Sequence, residues 1–158
     1  MKKKFFALML VALLSVGLIT GCGKKKEDEK KVKSAEDLVE LYVRAYNEEK
    51  PELLLEVFPD FFAEDLKKYV TVEGIKDQKA EYGDDATYSM KITGKTKMTD
   101  DWIEQNNIYL KEYNAQVTEC YAIEGIASIK GSLKEDSSEI EEMWYCNFGN
   151  DDWRLIGG

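Results

Sequence analysis

The sequence predicts an α+β fold in which N-terminal helices pack on a curved antiparallel sheet. In the first half of the folded region, apolar residues recur at helical spacing. In the second half they alternate with polar residues, as they do in half-buried strands. Helices that precede a run of strands, instead of alternating with them, are typical of the α+β class.

The first helix is the clearest helical element. Ser34 followed by Asp37 forms a capping-box pattern at its start. The apolar residues behind this cap share one helical face, which comprises Leu38, Leu41, Tyr42, Ala45 and Tyr46. The pattern predicts a helix that runs from Ser34 to about Glu49 and turns this face toward the sheet.

Three shorter helices are expected next. Pro51 suits the first turn of the second helix, and Pro59 ends it. A third helix is predicted over about residues 61–70, with Asp60 as its cap. A fourth, more polar one covers about residues 74–82, where Gly83 is a plausible stop.

The second half of the folded region reads as strands with one helical insertion. Tyr88, Met90 and Ile92 alternate with polar residues and predict the first strand. Thr99 then caps a helix, Asp100 to Tyr113, whose inward face is expected to hold Trp102, Ile103, Tyr109, Leu110 and Tyr113. Two long strands, about 115–130 and 139–148, and a closing strand, Trp153 to Ile156, complete the sheet; a tight turn at 149–152 precedes the closing strand.

The two long strands can be aligned from their apolar residues. Pairing Ile129 with Ile140 places the apolar residues of both strands on one face. In that register Cys120 and Cys146 lie on opposite faces, because side chains alternate. A slip of one residue would bring the cysteines together but would separate the apolar sets, so we predict two free thiols.

The N-terminus carries a secretory signal pattern. Three lysines precede an uncharged, largely apolar run over residues 5–19, which is short for a membrane-spanning helix of about 20 residues. The run ends in Ile19-Thr20-Gly21-Cys22, which resembles the lipobox of bacterial lipoprotein precursors. An ordinary secreted protein and an uncleaved membrane helix are the alternatives.

The lipobox resemblance implies that the Cys22 thiol receives a diacylglycerol and that the chain is cut before it. Membrane lipid would then hold the protein on the extracytoplasmic face of the cell membrane. The chain accordingly divides into a signal peptide (1–21), a lipidated cysteine with a charged tether (22–33) and a folded domain (34–158).

Charge is distributed unevenly after the cut. Residues 23–33 carry a net charge of +3, and Val32 is their one apolar side chain, so they are expected to form a disordered tether. Residues 34–158 carry about −15. Such an acidic domain excludes nucleic acid as a partner, because binding to phosphates needs a positive surface.

The domain also resembles the NTF2-like (cystatin-like) cone fold. The matching features are the first amphipathic helix, the Pro-containing second helix, the long hairpin and the closing strand Asp152-Trp153-Arg154-Leu155-Ile156. The inserted helix, 100–113, departs from the common pattern. More narrowly, the chain resembles Gram-positive lipoproteins with the same lipobox, lysine tether and acidic domain. Ketosteroid-isomerase-like members of this fold use a carboxylate base and tyrosine donors in an apolar cone, which implies an enzyme alternative.

The residues themselves point to no catalytic machinery. The chain has no histidine, no phosphate-binding glycine loop and no calcium-loop spacing, so we predict no catalytic, cofactor-binding or metal-ligating residue. A non-catalytic binding module is favoured, for a small molecule or a cell-envelope protein; a dimerising structural role is a further alternative. The candidate pocket lining is Tyr42, Tyr46, Tyr88, Trp102, Tyr121 and Trp144. A hollow cone would favour a small ligand, whereas a filled cone with an exposed apolar patch would favour a protein partner.

Overall fold

A computed structural model describes residues 33–157 of the 158-residue chain. Within this range the helices are α1 (Ala35–Asn47), α2 (Leu54–Val57), α3 (Ala63–Tyr69), α4 (Val72–Ala80) and α5 (Asp100–Leu110). The strands are β1 (Thr87–Lys97), β2 (Glu119–Lys130), β3 (Glu135–Glu139), β4 (Met143–Asn147) and β5 (Trp153–Gly157). Single 3₁₀ turns precede α2 and α3 and follow α5. The predicted signal peptide and Cys22 lie outside the described residues.

The strands form one curved, open antiparallel sheet, as the sequence predicted. Its order is β1-β2-β4-β5, and β3 pairs with β2 on the same side as β4. The turn between β4 and β5 explains their close pairing. Asn150 and Asp151 both have positive φ angles, 52° and 55°, which is the backbone of the two-residue hairpin turn that matches strand twist.

Helix α1 begins as its sequence predicts and supplies most of the core. The Ser34 side chain accepts a hydrogen bond from the Asp37 amide, and the Asp37 side chain accepts one from the Ser34 amide. The buried side chains that α1 shares with α2, α3 and the sheet include Leu38, Tyr46, Leu54, Val57, Leu66, Ile123, Met143 and Leu155. Folding therefore buries one apolar face of the sheet under α1, which is the main source of stability for an amphipathic helix.

The predicted alignment of the long strands is wrong. β2 pairs Ile126 with Glu139 and Ile123 with Met143, so three residue steps on β2 oppose four on the other strand. The extra residue is a bulge between β3 and β4, where one predicted strand becomes two. A bulge of one residue reverses which side chains face inward. Ile140 and Met143 therefore both reach the core despite their opposite parity.

Two asparagines attach the longer helices to β1 and to the segment that precedes β2. From the end of α1, Asn47 donates to the Tyr88 carbonyl at 2.9 Å and accepts from the Tyr88 amide at 2.7 Å. From α5, Asn107 makes the same pair of hydrogen bonds with Val117, at 2.9 and 2.7 Å. Each carboxamide thus occupies the place that a neighbouring strand residue would take in an antiparallel ladder.

Helix α5 covers the opposite face of the sheet. Trp102 and Leu110 pack there against a small buried cluster of Val117, Cys120 and Cys146. The prediction that Tyr109 and Tyr113 face inward is wrong, because their side chains are 73% and 48% exposed.

Candidate functional site

The six predicted pocket residues fall into three groups instead of one lining. Tyr42, Tyr46 and Tyr88 lie together in the main core. Tyr121 lies on the same face of the sheet, in an aromatic row with Tyr145 and Trp153. Trp102 and Trp144 pack on the opposite face, with ring centroids 5.8 Å apart.

The three core tyrosines fill the space between α1 and β1. The Tyr46 ring lies 5.1 Å from both the Tyr42 and Tyr88 rings, and Tyr46 is 2% exposed. Burial raises the pKa of Tyr42, Tyr46 and Tyr88, because the phenolate would lose its hydration. These side chains therefore act as neutral packing groups at neutral pH.

Tyr88 is the least satisfied member of this group. Its hydroxyl oxygen is buried, and no group within residues 33–157 forms a hydrogen bond with it. Tyr42 and Tyr46, by contrast, share a hydrogen bond through their hydroxyls. An unpaired buried hydroxyl costs about 1–3 kcal/mol of stability, so Tyr88 stabilises the core through the packing of its ring and not through its hydroxyl.

Carboxylates stay away from this core. Among residues 33–157, Arg154 is the only buried charged side chain. Every Asp and Glu in this range is half-buried or exposed. The Arg154 guanidinium donates to the backbone carbonyls of Leu55 and Phe58 at 3.1 and 3.2 Å and to the Asp152 carboxylate at 2.8 Å. Arg154 therefore ties the last strand to the end of α2.

A hydrogen-bonded carboxylate–tyrosine pair lies at the start of β2. The Tyr121 hydroxyl donates to Glu119 at 2.8 Å, and the Lys97 ammonium lies 2.8 Å from the same carboxylate. These hydrogen bonds, first that of Lys97, lower the pKa of Glu119. A general base works best with a pKa near the ambient pH, so Glu119 is suited to an ion pair and poorly suited to proton abstraction.

Tyr145 and Trp153 continue this aromatic row toward the chain entry. Their rings stack at 4.4 Å, and the Tyr145 hydroxyl donates to the Lys33 carbonyl at 2.8 Å. Burial, together with the Glu36 and Asp37 charges, raises the pKa of Tyr145 to about 12. The contact holds the first described residue against the sheet, at the point where the tether would join the domain.

On the α5 side, Cys120 and Cys146 form a disulfide between paired residues of β2 and β4. The prediction of free thiols is wrong, and the bulge is the reason. It lets both cysteines point to the α5 face while Ile123 on β2, Ile140 after β3 and Met143 on β4 still reach the core. Trp144 points with Cys146 to this face, against Gly157.

The sequence reasoning missed an apolar surface, which we call the α5 patch: the exposed side chains Ile108, Tyr109 and Tyr113 together with the half-buried Phe61. Ile108 is 63% exposed, and the Phe61 ring stacks on Tyr113 at 4.9 Å. Helical spacing gave no signal for it, because Tyr109 follows Trp102 by seven residues and this spacing places two residues on one face of a helix.

Comparison with known proteins gives no information about this surface. The chain matches no protein-family model, no curated protein and no solved structure. Within residues 33–157 no helix has the length and apolarity to cross a membrane. The same range contains no group of three or more Cys, Asp or Glu side chains placed to hold a metal ion.

Proposed function

We propose that this protein is a lipid-anchored, extracytoplasmic binding module whose partner is another protein of the cell envelope. The observation that carries the binding proposal is the contrast between a buried core and an exposed aromatic surface. The space under α1 is occupied by buried side chains such as Leu38, Tyr46 and Leu155. The α5 patch, on the other side of the sheet, is apolar and open to solvent.

The disulfide supports the location independently of the lipobox. Protein disulfides persist in oxidising, extracytoplasmic compartments and are rare in the reducing cytosol. Cys120 and Cys146 are both fully buried and directly paired across two strands, which favours a stable structural bond. The N-terminal signal pattern and the Cys120–Cys146 disulfide therefore both favour an exported domain.

The enzyme alternative has less support. Ketosteroid-isomerase-like chemistry needs a carboxylate in a dry pocket with a raised pKa. Glu119 is paired with Lys97, and its pKa is lowered instead. Glu119, which accepts a hydrogen bond from the Tyr121 hydroxyl, is therefore better suited to a structural ion pair than to catalysis.

Lipid attachment is tested by metabolic labelling with a fatty-acid probe. The Cys22→Ser variant should lose the label and leave the membrane fraction, whereas the wild type should keep both. Proteolysis of intact cells should digest the wild-type domain from outside. A labelled Cys22→Ser variant, or a protease-resistant domain, would refute the proposed anchor and location.

The binding role is tested by photo-crosslinking in intact cells. A photoreactive residue at position 109 should give one discrete adduct with a second protein. The matched control is position 133, because Leu133 is 74% exposed but stands outside the α5 patch. No adduct at position 109, or the same adducts at both positions, would contradict binding through this surface.

A further inference from the structure

The α5 patch combines side chains from two parts of the chain. Tyr109 lies in the last turn of α5, and Tyr113 lies in the 3₁₀ turn that follows it. Phe61, from the turn before α3, stacks on Tyr113 and makes an edge contact with Phe148 at 5.9 Å. Ile108 extends the exposed row along α5.

The side chains of the α5 patch lie outside the hydrophobic core clusters of the domain. Helix α5 contains no fully buried residue and is held by its inward side chains, Trp102 and Leu110, and by the Asn107 hydrogen bonds. The outward side chains Ile108 and Tyr109 contribute little to that packing. Contiguous exposed apolar surface with tyrosines at its centre is typical of a protein interface.

The charges on α5 and on the turn that follows it are mostly negative. Between residues 100 and 113 the acids Asp100, Asp101, Glu104 and Glu112 are exposed, and Lys111 is the single basic residue. Asp60 and Glu64, on either side of Phe61, are also exposed but form ion pairs with Arg154 at 3.9 Å and Lys67 at 3.6 Å. An acidic border attracts a basic partner and repels an acidic one.

This border distinguishes between possible occupants. A second copy would bring the same acidic border against itself, and an anionic lipid surface would also be repelled. The chain's own tether, residues 23–33, is basic, but Val32 is its one apolar residue, so it cannot cover the patch. The remaining occupant combines apolar and basic side chains.

We propose that the α5 patch docks a basic amphipathic segment of another cell-envelope protein. The apolar face of that segment covers Ile108, Tyr109 and Tyr113, while its lysines or arginines lie beside Glu104 and Glu112. This inference rests on the proposed binding function and adds the chemistry of the partner to it.

The test uses the lipidated protein in intact cells, with the photoreactive residue at position 109. The crosslinked partner peptide is sequenced by mass spectrometry. We expect a segment with a net positive charge and apolar residues at helical spacing. The double variant Glu104→Gln/Glu112→Gln should lower the adduct yield several-fold, and Glu73→Gln, an equal loss of charge on α4, should leave it unchanged.

The outcomes separate this inference from the proposed function. An adduct whose partner segment is acidic or neutral, or an adduct with a second copy or with lipid, would overturn the inference. A yield insensitive to Glu104 and Glu112 would do the same. If the partner is nonetheless a second protein, the binding function stands; if no adduct forms at all, both fail.

Discussion

Arg154 shows how one residue can hold separate elements together. Its guanidinium is 8% exposed and reaches two carbonyls at the end of α2 as well as Asp152. Replacing it with methionine keeps an unbranched apolar stem but leaves those two carbonyls without a donor. We expect Arg154→Met to lower the free energy of unfolding by about 2–4 kcal/mol, measured by urea denaturation.

Arg44 provides the matched control for Arg154. It forms an ion pair with Glu48 on the surface of α1, where both side chains are well exposed. Exposed pairs of this kind contribute about 0.3–0.5 kcal/mol. If Arg154→Met lowers the free energy of unfolding no more than Arg44→Met does, Arg154 does not hold β5 to the end of α2.

Tyr88 and Tyr46 make opposite predictions for the loss of a hydroxyl. The Tyr88 hydroxyl is buried and has no partner among residues 33–157, whereas the Tyr46 hydroxyl interacts with Tyr42. We expect Tyr88→Phe to raise the free energy of unfolding by about 1 kcal/mol and Tyr46→Phe to lower it by a similar amount. Thermal unfolding monitored by circular dichroism measures both; a destabilised Tyr88→Phe variant would show that its hydroxyl is satisfied.

At the scale of elements, the hydrogen bonds of Asn47 with Tyr88 and of Asn107 with Val117, which we call the asparagine clamps, determine how firmly α1 and α5 are attached. α1 also buries many side chains, but α5 buries none completely, so it depends more on its clamp. We expect Asn107→Ala to release α5 locally, with at least a tenfold faster hydrogen exchange of the Val117 amide. Asn47→Ala should instead lower global stability by about 1–3 kcal/mol.

The measurement is amide hydrogen exchange followed by mass spectrometry, with urea denaturation alongside. Asn106→Ala is the control for α5, because its amide bonds back to the Trp102 carbonyl of the same helix and not to a strand. Equal exchange of Val117 in Asn106→Ala and Asn107→Ala would argue against the clamp.

For the whole molecule, the disulfide is the largest single covalent constraint. It joins residues 26 positions apart, and closing a loop of this length stabilises the folded state by about 3–4 kcal/mol in the chain-entropy account. The variant Cys120→Ala/Cys146→Ala should lose that amount in urea denaturation. Wild-type protein should show no alkylation at either cysteine until it is reduced; alkylation without reductant would refute the bond.

Much of the fold was predictable because its signals are local. The Ser34 cap, the Pro51 start, the Thr99 cap and the turn before Trp153 each depend on residues close together in the chain, and each is confirmed. The α+β class followed from the order of the periodic segments. The NTF2-like resemblance and the lipidation of Cys22 remain predictions.

The sequence by itself therefore determined the class, the order of the elements apart from the division into β3 and β4, and the charge contrast between residues 23–33 and residues 34–158. Only the tertiary structure decided the bulge between β3 and β4, the pairing of Cys120 with Cys146 and the outward position of Tyr109. The physical reason is that these features depend on contacts between distant residues. One extra residue in a strand leaves no local signal, yet it reverses the face of every side chain that follows.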